Sequence, residues 1–593
     1  MALLGYHFID LSPDEKLARR QTLNKYALYA QVSALIPVAV ILLSRLVGRA
    51  LSAGLSRRQY AAVPSSPVQK QQRTSRAGTW TARARRARWW LGEDVVLFGM
   101  VLGQRDQWLV GALWLTWLLL LCVLRTGEDY LHLTKRFGAI AVSQWPLQYL
   151  LSLKALNPVA YLLRSSHEQV NRWHRVVARI TTTLLCFHVA LYLNFFVQTD
   201  RLHRLGDPVV LSGVVAFGGL LLLVSTSLRP VRRFSYRLFF IIHVISGIVV
   251  PLQLLVHAAP ARMFLFEALG VFFLDLASRR RDTVTGYATV ESISGTDLVR
   301  ISTTVPRSNI DRYRARPGAH LYLSIPPAAC KAMGAAASSR LLYQFLFNPF
   351  TVASVDEKNR EVTLVARHYG GPMTAALRRL ARATRPGTAD GRTDEEARVL
   401  LSIQGPYGPA GRLSRLCTGF DRVLLVAGGV GATFTLPLYR AILEENPAAR
   451  VEMVWAIRSP DDAAWAVARG EAQTLLEDDN IRLFITGKAS AVEGAEVSGQ
   501  TTAVSRSDRG ADGEVEMIAM SGGGRRGQHA SRDSRERPDL RKIVDGLFGH
   551  GPDERVAVLV CGPEDMAREL RTHLGVWIKR GRSIWYHKEG FGF

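Results

Sequence analysis

Long apolar runs alternate with short polar and basic runs over the first half of the chain. Seven of these runs are predicted to cross a membrane as helices, since about 20 apolar residues span the hydrocarbon core. They lie at residues 26–48, 106–126, 136–156, 174–196, 208–228, 237–258 and 262–279. The last of them is short and could instead be a tilted or interfacial helix. After Arg281 short β-rich runs continue to about Pro409. Apolar strands then alternate with helical stretches, which is typical of a parallel α/β sheet.

One segment, residues 488–538, follows neither pattern. It is rich in glycine, serine and arginine and has few large apolar side chains. Such a composition cannot bury enough apolar surface to fold, so the segment is predicted to be a disordered insertion in a surface loop. Its serines neighbour arginines, which makes regulation by phosphorylation a hypothesis for this segment.

The charge of the chain supports the membrane interpretation. The 593 residues are 48% hydrophobic and yet carry a formal net charge of +25. Between Arg49 and Trp90 there are ten lysines or arginines and no acid, a bias that marks cytosolic loops. The N-terminus is therefore predicted outside and the C-terminal half in the cytosol. Nucleic-acid binding is the rival explanation of the charge. It is disfavoured because the arginines cluster between apolar spans, so a lipid bilayer is expected and no nucleic acid.

Two of the apolar spans contain histidine pairs, and both pairs are 14 residues apart: His174 with His188, and His243 with His257. Fourteen residues make nearly four helical turns and a rise of about 21 Å, so both members of a pair share one helix face. The two helices are predicted to run in the same direction. His174 and His243 could then ligate an inner haem, and His188 and His257 an outer one. The alternative is ordinary buried histidines, which the matched spacing argues against.

The paired histidines, followed by a flavin and nucleotide region, resemble the fungal ferric-chelate reductases and the related NADPH oxidases over about residues 106–593. The resemblance implies a multi-pass α-helical membrane bundle followed by a cytosolic ferredoxin-reductase-like module, which has a flavin-binding antiparallel β-barrel and an α/β nucleotide-binding domain. The expected parts are an N-terminal span with a basic loop (1–105), a bis-haem domain (106–282), an FAD-binding barrel (283–415) and an NAD(P)H-binding domain (416–593).

The flavin residues follow from that resemblance. The family motif His-Pro-Phe-Thr reads Asn348, Pro349, Phe350 and Thr351 here, and the asparagine is expected to alter flavin contacts without abolishing them. A glycine-rich turn at a helix start exposes backbone N–H groups to phosphate. The resemblance assigns such a turn to the flavin pyrophosphate, with the residues Arg367, Gly370, Gly371 and Thr374. The alternative for the Asn348–Thr351 motif is an ordinary strand start, and the alternative for the glycine-rich turn is an ordinary helix cap.

The resemblance also assigns the nucleotide site. The turn expected near the nicotinamide nucleotide phosphates contains Gly428, Gly429, Gly431 and Thr433, followed by Phe434 where the family often has proline. Arg458 is a candidate for the 2′-phosphate of NADPH, with solvated surface as the alternative. The run Cys561, Gly562 and Pro563 is expected beside the nicotinamide, and the terminal Phe593 is expected to cover the flavin.

The implied function is electron transfer from NADPH through FAD and two haem b groups to ferric or cupric chelates, by an enzyme of the plasma membrane. A superoxide-forming NADPH oxidase is the alternative within the same family, since oxygen can also accept the electrons. A haem-binding membrane scaffold with a degenerate reductase half is the alternative of another class, and the departures Asn348 and Phe434 motivate it. Homo-oligomer formation is left open.

Overall fold

A computed structural model of the chain describes residues 5–55, 76–163, 165–332, 343, 347–368, 370–383, 398–408, 413, 416–466, 478–487, 533–534, 537–549 and 554–590. The predicted insertion at 488–538 therefore lies outside the described residues except for 533–534 and 537–538. The prediction for Phe593 also lies outside them.

Helices dominate the N-terminal half, where a short hairpin of strands β1 (Asp94–Leu97) and β2 (Met100–Gln104) is the one exception among the described residues. The helices are α1 (Pro13–Ser33), α2 (Leu35–Leu55), α3 (Arg76–Leu91), α4 (Arg105–Val123), α5 (Tyr130–Ser143), α6 (Trp145–Leu150), α7 (Pro158–Leu163), α8 (His167–Gln198), α9 (Pro208–Thr226), α10 (Arg229–Phe234), α11 (Tyr236–His257) and α12 (Arg262–Asp282).

A closed barrel of six antiparallel strands follows α12. Its strands are β3 (Thr283–Ser292), β4 (Leu298–Thr304), β5 (His320–Ser324), β6 (Asn348–Asp356), β7 (Glu361–Arg367) and β8 (Val399–Tyr407), in the order β3-β4-β7-β6-β5-β8. Among the described residues of this part, three helices accompany the strands, namely α13 (Arg307–Arg314), α14 (Pro327–Ala332) and α15 (Pro372–Ala383). Alternate residues such as Leu321 and Leu323 fill the barrel interior.

The last part is a parallel six-stranded sheet with helices. Its strands are β9 (Arg422–Gly428), β10 (Val451–Ile457), β11 (Ile481–Ile485), β12 (Asp533–Ser534), β13 (Arg555–Cys561) and β14 (Ser583–Glu589), ordered β12-β11-β10-β9-β13-β14. Its helices are α16 (Leu416–Gly419), α17 (Ala432–Glu445), α18 (Leu540–Leu547) and α19 (Glu564–Lys579). The runs of β9 and β13 are apolar throughout because both sheet faces are covered. The predicted fold class is confirmed.

Five helices of the described chain, rather than seven, are long and apolar enough to cross a membrane: Pro13–Val47, Arg105–Val123, His167–Gln198, Pro208–Thr226 and Tyr236–His257. The single helix predicted over 136–156 is wrong. It is divided between α5 and α6, because Pro146 near the start of α6 cannot continue the hydrogen-bond ladder of α5. Helix α12 does form over the seventh predicted span. It is not one of the five, and its last turn contains the charged triplet Arg279–Arg281.

The divided segment nevertheless runs between the two ends of the helical bundle. At its start, Asp129 forms an ion pair of 2.9 Å with Arg19 of the N-terminal helix. Just after its end, the ammonium of Lys154 lies 3.8 Å from the ring centre of Tyr322 in the barrel. Asp275 of α12 accepts hydrogen bonds from the following amides, 155 and 156, at 2.8 and 2.9 Å. Segment α5–α6 thus runs from the N-terminal helix to the barrel, and α12 meets it beside the barrel.

Helix α3, from the basic segment between the first two apolar helices, packs on the nucleotide-binding part. The ring of Trp89 lies 4.1 Å from the guanidinium carbon of Arg571 and meets Tyr586 edge-on at 5.7 Å between ring centres. Arg571 also donates a 2.8 Å hydrogen bond to the carbonyl of Trp89. A Cβ at Gly575 would lie 3.0 Å from Nε1 of this indole. A glycine on α19 therefore gives Trp89 the room to dock.

Replacing Trp89 with alanine is expected to weaken this docking by about 2 kcal/mol, since it removes aromatic burial and a cation–π contact. Limited trypsin digestion of the purified protein should cleave α3 faster in Trp89→Ala than in the wild type. Trp90→Ala is the matched control, because Trp90 is 50% exposed and stacks on Arg105 instead. Equal digestion of both variants would contradict the assignment.

Candidate functional site

The two candidate haem ligands of α8 each direct Nδ1 at a backbone carbonyl. Nδ1 of His174 lies 2.9 Å from the carbonyl oxygen of Gln148, and Nδ1 of His188 lies 2.8 Å from that of Thr134. When Nδ1 donates its proton to these oxygens, the lone pair resides on Nε2, the nitrogen then available to a metal. The bundle thus selects the tautomer that an iron ligand requires.

The two candidates on α11 are held in the same way. Nδ1 of His257 lies 2.8 Å from the carbonyl oxygen of Val209, and Nδ1 of His243 lies 3.3 Å from the hydroxyl oxygen of Ser227. Both acceptors belong to α9 or its C-terminal cap, and α9 packs along α11. All four predicted histidines therefore have an oxygen at Nδ1.

Two glycines make room for the rings of His188 and His257. A Cβ at Gly138 would lie 2.7 Å from Nδ1 of His188, and a Cβ at Gly213 would collide with the ring of His257. Each glycine lies four residues after the carbonyl acceptor, one helical turn on and on the same face. The ring thus covers the turn between acceptor and glycine, where any larger residue would displace it.

The rings of His174 and His243 face each other across the bundle. Their centres are 6.2 Å apart and their planes differ by 56°. Two imidazoles bound to one metal at about 2 Å each would have ring centres about 6 Å apart, so this spacing fits an iron between them. Nε2 of His174 also lies 3.2 Å from the amide nitrogen of Gln148. Within the described residues, no group of three or more histidines, cysteines or acids forms a site for a bare metal ion.

The predicted flavin motif lies at the start of β6, beside β5. Thr351 pairs with His320 and Pro349 with Tyr322 across the two strands, while the ring of Phe350 packs against the barrel core. The hydroxyl of Thr351 is buried without a hydrogen-bond partner, as is Nδ1 of His368 at the end of β7. Buried polar atoms normally have partners, so these two atoms suit a site that a polar cofactor completes. Asn348 is half-buried at the first position of β6.

Two of the predicted pyrophosphate residues, Arg367 and Thr374, already contact other groups of the protein. Arg367 forms a 2.8 Å ion pair with Asp462 of the nucleotide-binding part, whose other carboxylate oxygen accepts the amide of Arg458 at 3.2 Å. The hydroxyl of Thr374 donates to the carbonyl of Gly371 at 3.1 Å, at the start of α15. Gly370 has φ +78°, so this turn does form before the helix.

The two nucleotide motifs meet at adjacent strands. Strands β9 and β13 are parallel neighbours, and Cys561 lies opposite Ala427. A Cβ at Gly428 would lie 2.6 Å from Cδ of Pro563, and one at Gly431 would lie inside the carbonyl of Cys561. The two motifs therefore interlock at the C-terminal edge of the sheet, where such sheets bind nucleotides. Burial raises the pKa of the Cys561 thiol well above its usual value, so it serves as a small buried group.

Three other predicted residues, Thr433, Phe434 and Arg458, lie at or beside this edge of the sheet. The hydroxyl of Thr433 donates to the carbonyl of Val430 at 2.8 Å, which holds the turn that starts α17. Phe434 is fully buried, and a Cβ at Gly318 in the barrel would lie 3.0 Å from its ring. The departure from proline thus supplies packing between barrel and sheet. Arg458 is exposed just after β10, at the same edge.

Sequence reasoning missed the oxygen acceptors around the histidines, because a carbonyl group belongs to every residue and carries no signature. The four-residue spacings Thr134–Gly138 and Val209–Gly213 were the available signal. It also missed Arg136, which is fully buried in α5, 2.8 Å from His132 and 4.1 Å from the ring centre of Tyr26.

Three family models match consecutive parts of the chain. They are "Ferric reductase like transmembrane component" at residues 137–254, "FAD-binding domain" at 287–411 and "Ferric reductase NAD binding domain" at 420–574. The first covers the candidate ligands His174, His188 and His243 and ends just before His257. The second covers the barrel, and the third covers most of the parallel sheet.

Two yeast proteins with similar sequences agree with these matches. The ferric/cupric reductase transmembrane component 2 of Schizosaccharomyces pombe is 24% identical over 77% of this chain and 80% of that protein. The ferric reductase transmembrane component 1 of the same yeast is 23% identical over 55% of this chain and 59% of that protein. Among solved structures, a flavohemoglobin from Malassezia yamatoensis matches 77% of this chain and 96% of its own at 14% identity, with a TM-score of 0.31. That likeness is too distant to extend to function.

The order of the three families along one chain, together with the relatives, assigns the cofactors FAD and a nicotinamide nucleotide to a membrane-integral oxidoreductase. The chain belongs to the fungal ferric reductase family.

Proposed function

We propose that this enzyme carries electrons from cytosolic NADPH, through FAD and two haem b groups, to ferric or cupric chelates on the outer face of the plasma membrane. The observation that carries the proposal is the set of four histidines whose Nδ1 atoms all meet oxygen acceptors. The 6.2 Å spacing of His174 and His243 supports the inner member of the pair. The name of the first yeast relative, a ferric/cupric reductase, supports the choice of acceptor.

The haems would supply one-electron redox chemistry, and the residues of this chain hold and separate them. His174 with His243, and His188 with His257, would bind the irons through Nε2. Oxidation of one nicotinamide nucleotide releases two electrons and one proton and reduces two ferric ions. The flavin bound by the barrel between these steps converts two-electron into one-electron transfer. This proposal retains the domain limits at residues 105, 282 and 415.

The nucleotide and flavin sites are supported by packing at the edge shared by β7, β9 and β13. The interlocked turns bring glycine-rich backbone to this edge, where N–H groups could bind phosphate, and Arg458 at this edge favours NADPH over NADH. The buried hydroxyl of Thr351 suits a hydrogen bond to the flavin ring. Residues Asn348 and Phe434 depart from the family pattern. Phe434, however, is a packing residue between two domains, which weakens the case for a degenerate reductase half.

Anaerobic addition of NADPH to the purified, FAD-supplied protein in detergent tests the whole path. Spectra of reduced low-spin haem, followed by faster reoxidation with ferric citrate than with air, would support the metalloreductase. Faster reoxidation by air with superoxide release would support an oxidase instead. Haem that stays oxidised in protein that binds none of the supplied FAD would support the scaffold. Repeating the addition with NADH tests the nucleotide preference.

Removing one ligand of the inner pair is expected to halve the haem content. In His243→Ala the haem bound per chain should fall from two to one, and electron delivery to ferric citrate should be abolished because the path is interrupted. Haem extraction and anaerobic spectra provide the measurement. His203→Ala is the control, since His203 is exposed in the loop before α9. Two haems per chain in His243→Ala would rule out the assignment.

Replacing Thr351 with valine keeps the shape of the side chain and removes its hydroxyl. FAD affinity is expected to fall about tenfold, because a buried group loses one hydrogen-bonding partner. Fluorescence titration of flavin-depleted protein with FAD would measure this change. Ser354→Ala removes an exposed hydroxyl from the same strand and should leave the affinity unchanged. Equal affinities in both variants would place the flavin elsewhere.

A further inference from the structure

Strand β5 presents its two faces to different parts of the molecule. Leu321 and Leu323 point into the barrel and are fully buried. His320 and Tyr322 point the other way, because side chains alternate along a strand. They are also buried, at 5% and 4% exposure, although they lie outside the barrel core. What buries them is the cytosolic end of the helical bundle.

The contact is made with Glu168 in the first turn of α8. Its Oε1 accepts a 2.9 Å hydrogen bond from the hydroxyl of Tyr322 and lies 2.9 Å from Nε2 of His320. Nδ1 of His167 lies 3.1 Å from the same oxygen. A carboxylate is favoured at a helix N-terminus by the helix dipole, so this position can hold the charge.

Two further side chains pack around this contact. The ammonium of Lys154 lies over the ring of Tyr322, 3.8 Å from its centre. The ring of Tyr407, at the end of β8, meets Tyr322 edge-on at 5.4 Å between ring centres. Tyr322 is thus enclosed by the loop after α6, by α8 and by its own barrel. Its orientation has little freedom.

Each end of the contact leads directly to a cofactor site. Glu168 precedes the candidate inner haem ligand His174 by six residues of one helix, which is a rise of about 9 Å. On the other side, His320 pairs with Thr351 and Tyr322 with Pro349 of the flavin motif. A rigid helix and a barrel strand are therefore joined at one carboxylate between the two sites.

We infer that Glu168, His320 and Tyr322 form a clamp that positions the flavin barrel on the haem-bearing helix and so sets the rate of electron transfer from flavin to inner haem. This inference rests on the proposed function. The three are positioning residues and take no part in hydride transfer. Nicotinamide oxidation by the flavin therefore does not depend on the clamp, whereas haem reduction does.

The clamp has a charge that depends on pH. Burial alone would lower the pKa of His320, but the Glu168 carboxylate raises it above the usual value, with Glu589 adding to this and Lys154 opposing it. The other titratable groups that face it are His167, Tyr322 and Tyr407. His320 is an imidazolium below its raised pKa, so the ion pair is intact there and is lost as pH rises through that pKa. Burial and Glu168 also raise the pKa of Tyr322, which keeps its hydroxyl a donor.

Stopped-flow mixing of the purified holoprotein with NADPH under anaerobic conditions separates the two steps. In Tyr322→Phe, His320→Gln and Glu168→Gln, flavin reduction should stay within about twofold of wild type while haem reduction slows about tenfold. Combining Tyr322→Phe with Glu168→Gln should slow haem reduction no further, because the two residues share one contact. Haem reduction in the wild type should slow at alkaline pH, and His320→Gln should lose this dependence.

Glu357→Gln is the matched control, since Glu357 forms an exposed 2.7 Å ion pair with Arg314 in the same barrel. Unchanged haem reduction in all three clamp variants would overturn the inference. Hydrogen exchange of cofactor-free protein gives a second readout, in which β5 and the first turn of α8 should exchange faster in Tyr322→Phe but not in Glu357→Gln. If wild-type protein binds no haem, the proposed function fails, and hydrogen exchange alone still decides whether the clamp exists.

Discussion

An imidazole inside a helical membrane bundle needs an oxygen atom for its Nδ1 proton, because hydrocarbon offers no water to accept it. Much of the bundle is arranged to meet that need. The break after α5 places Gln148 in the last turn of the short helix α6, where carbonyl groups lack helical partners, and His174 uses that carbonyl. The carbonyls of Thr134 and Val209 lie within helices, so each requires a glycine one turn later.

The flavin and nucleotide parts also depend on glycines that leave room for close packing. Gly431 allows the carbonyl of Cys561 to approach its backbone, which brings the two nucleotide motifs together at neighbouring strands. Gly318 leaves room in the barrel for the ring of Phe434, which belongs to helix α17. Asp462 joins the two parts electrostatically, through the side chain of Arg367 and the amide of Arg458. The flavin and nucleotide parts are therefore fixed to each other by packing as well as by sequence order.

The sequence predicted those features that are marked by a repeated spacing or by a family motif. The matched spacing of 14 residues predicted helices that present His174 and His243 to each other. Apolar runs predicted the parallel sheet, and the family resemblance implied the barrel. The sequence predicted three features incorrectly or not at all, for physical reasons. Hydropathy averages over a window, so it did not register the break at Pro146. The ion pair of Arg367 with Asp462 and the docking of Trp89 join residues far apart in sequence, and no local pattern encodes such contacts.

Packing contacts join helix α3, the parallel-sheet part, the barrel and helix α8 one after another. Helix α3 follows the first apolar helix in sequence and packs on α19, whose N-terminus follows the Cys561 motif of the nucleotide site. The sheet is fixed to the barrel at Phe434, and the barrel is fixed to α8 at Glu168. The nucleotide-binding part is thus held at two places, one of them outside the regions matched by the three families. An electron carrier gains from such bracing, because every cofactor spacing along the path depends on the relative position of domains that no single core holds together.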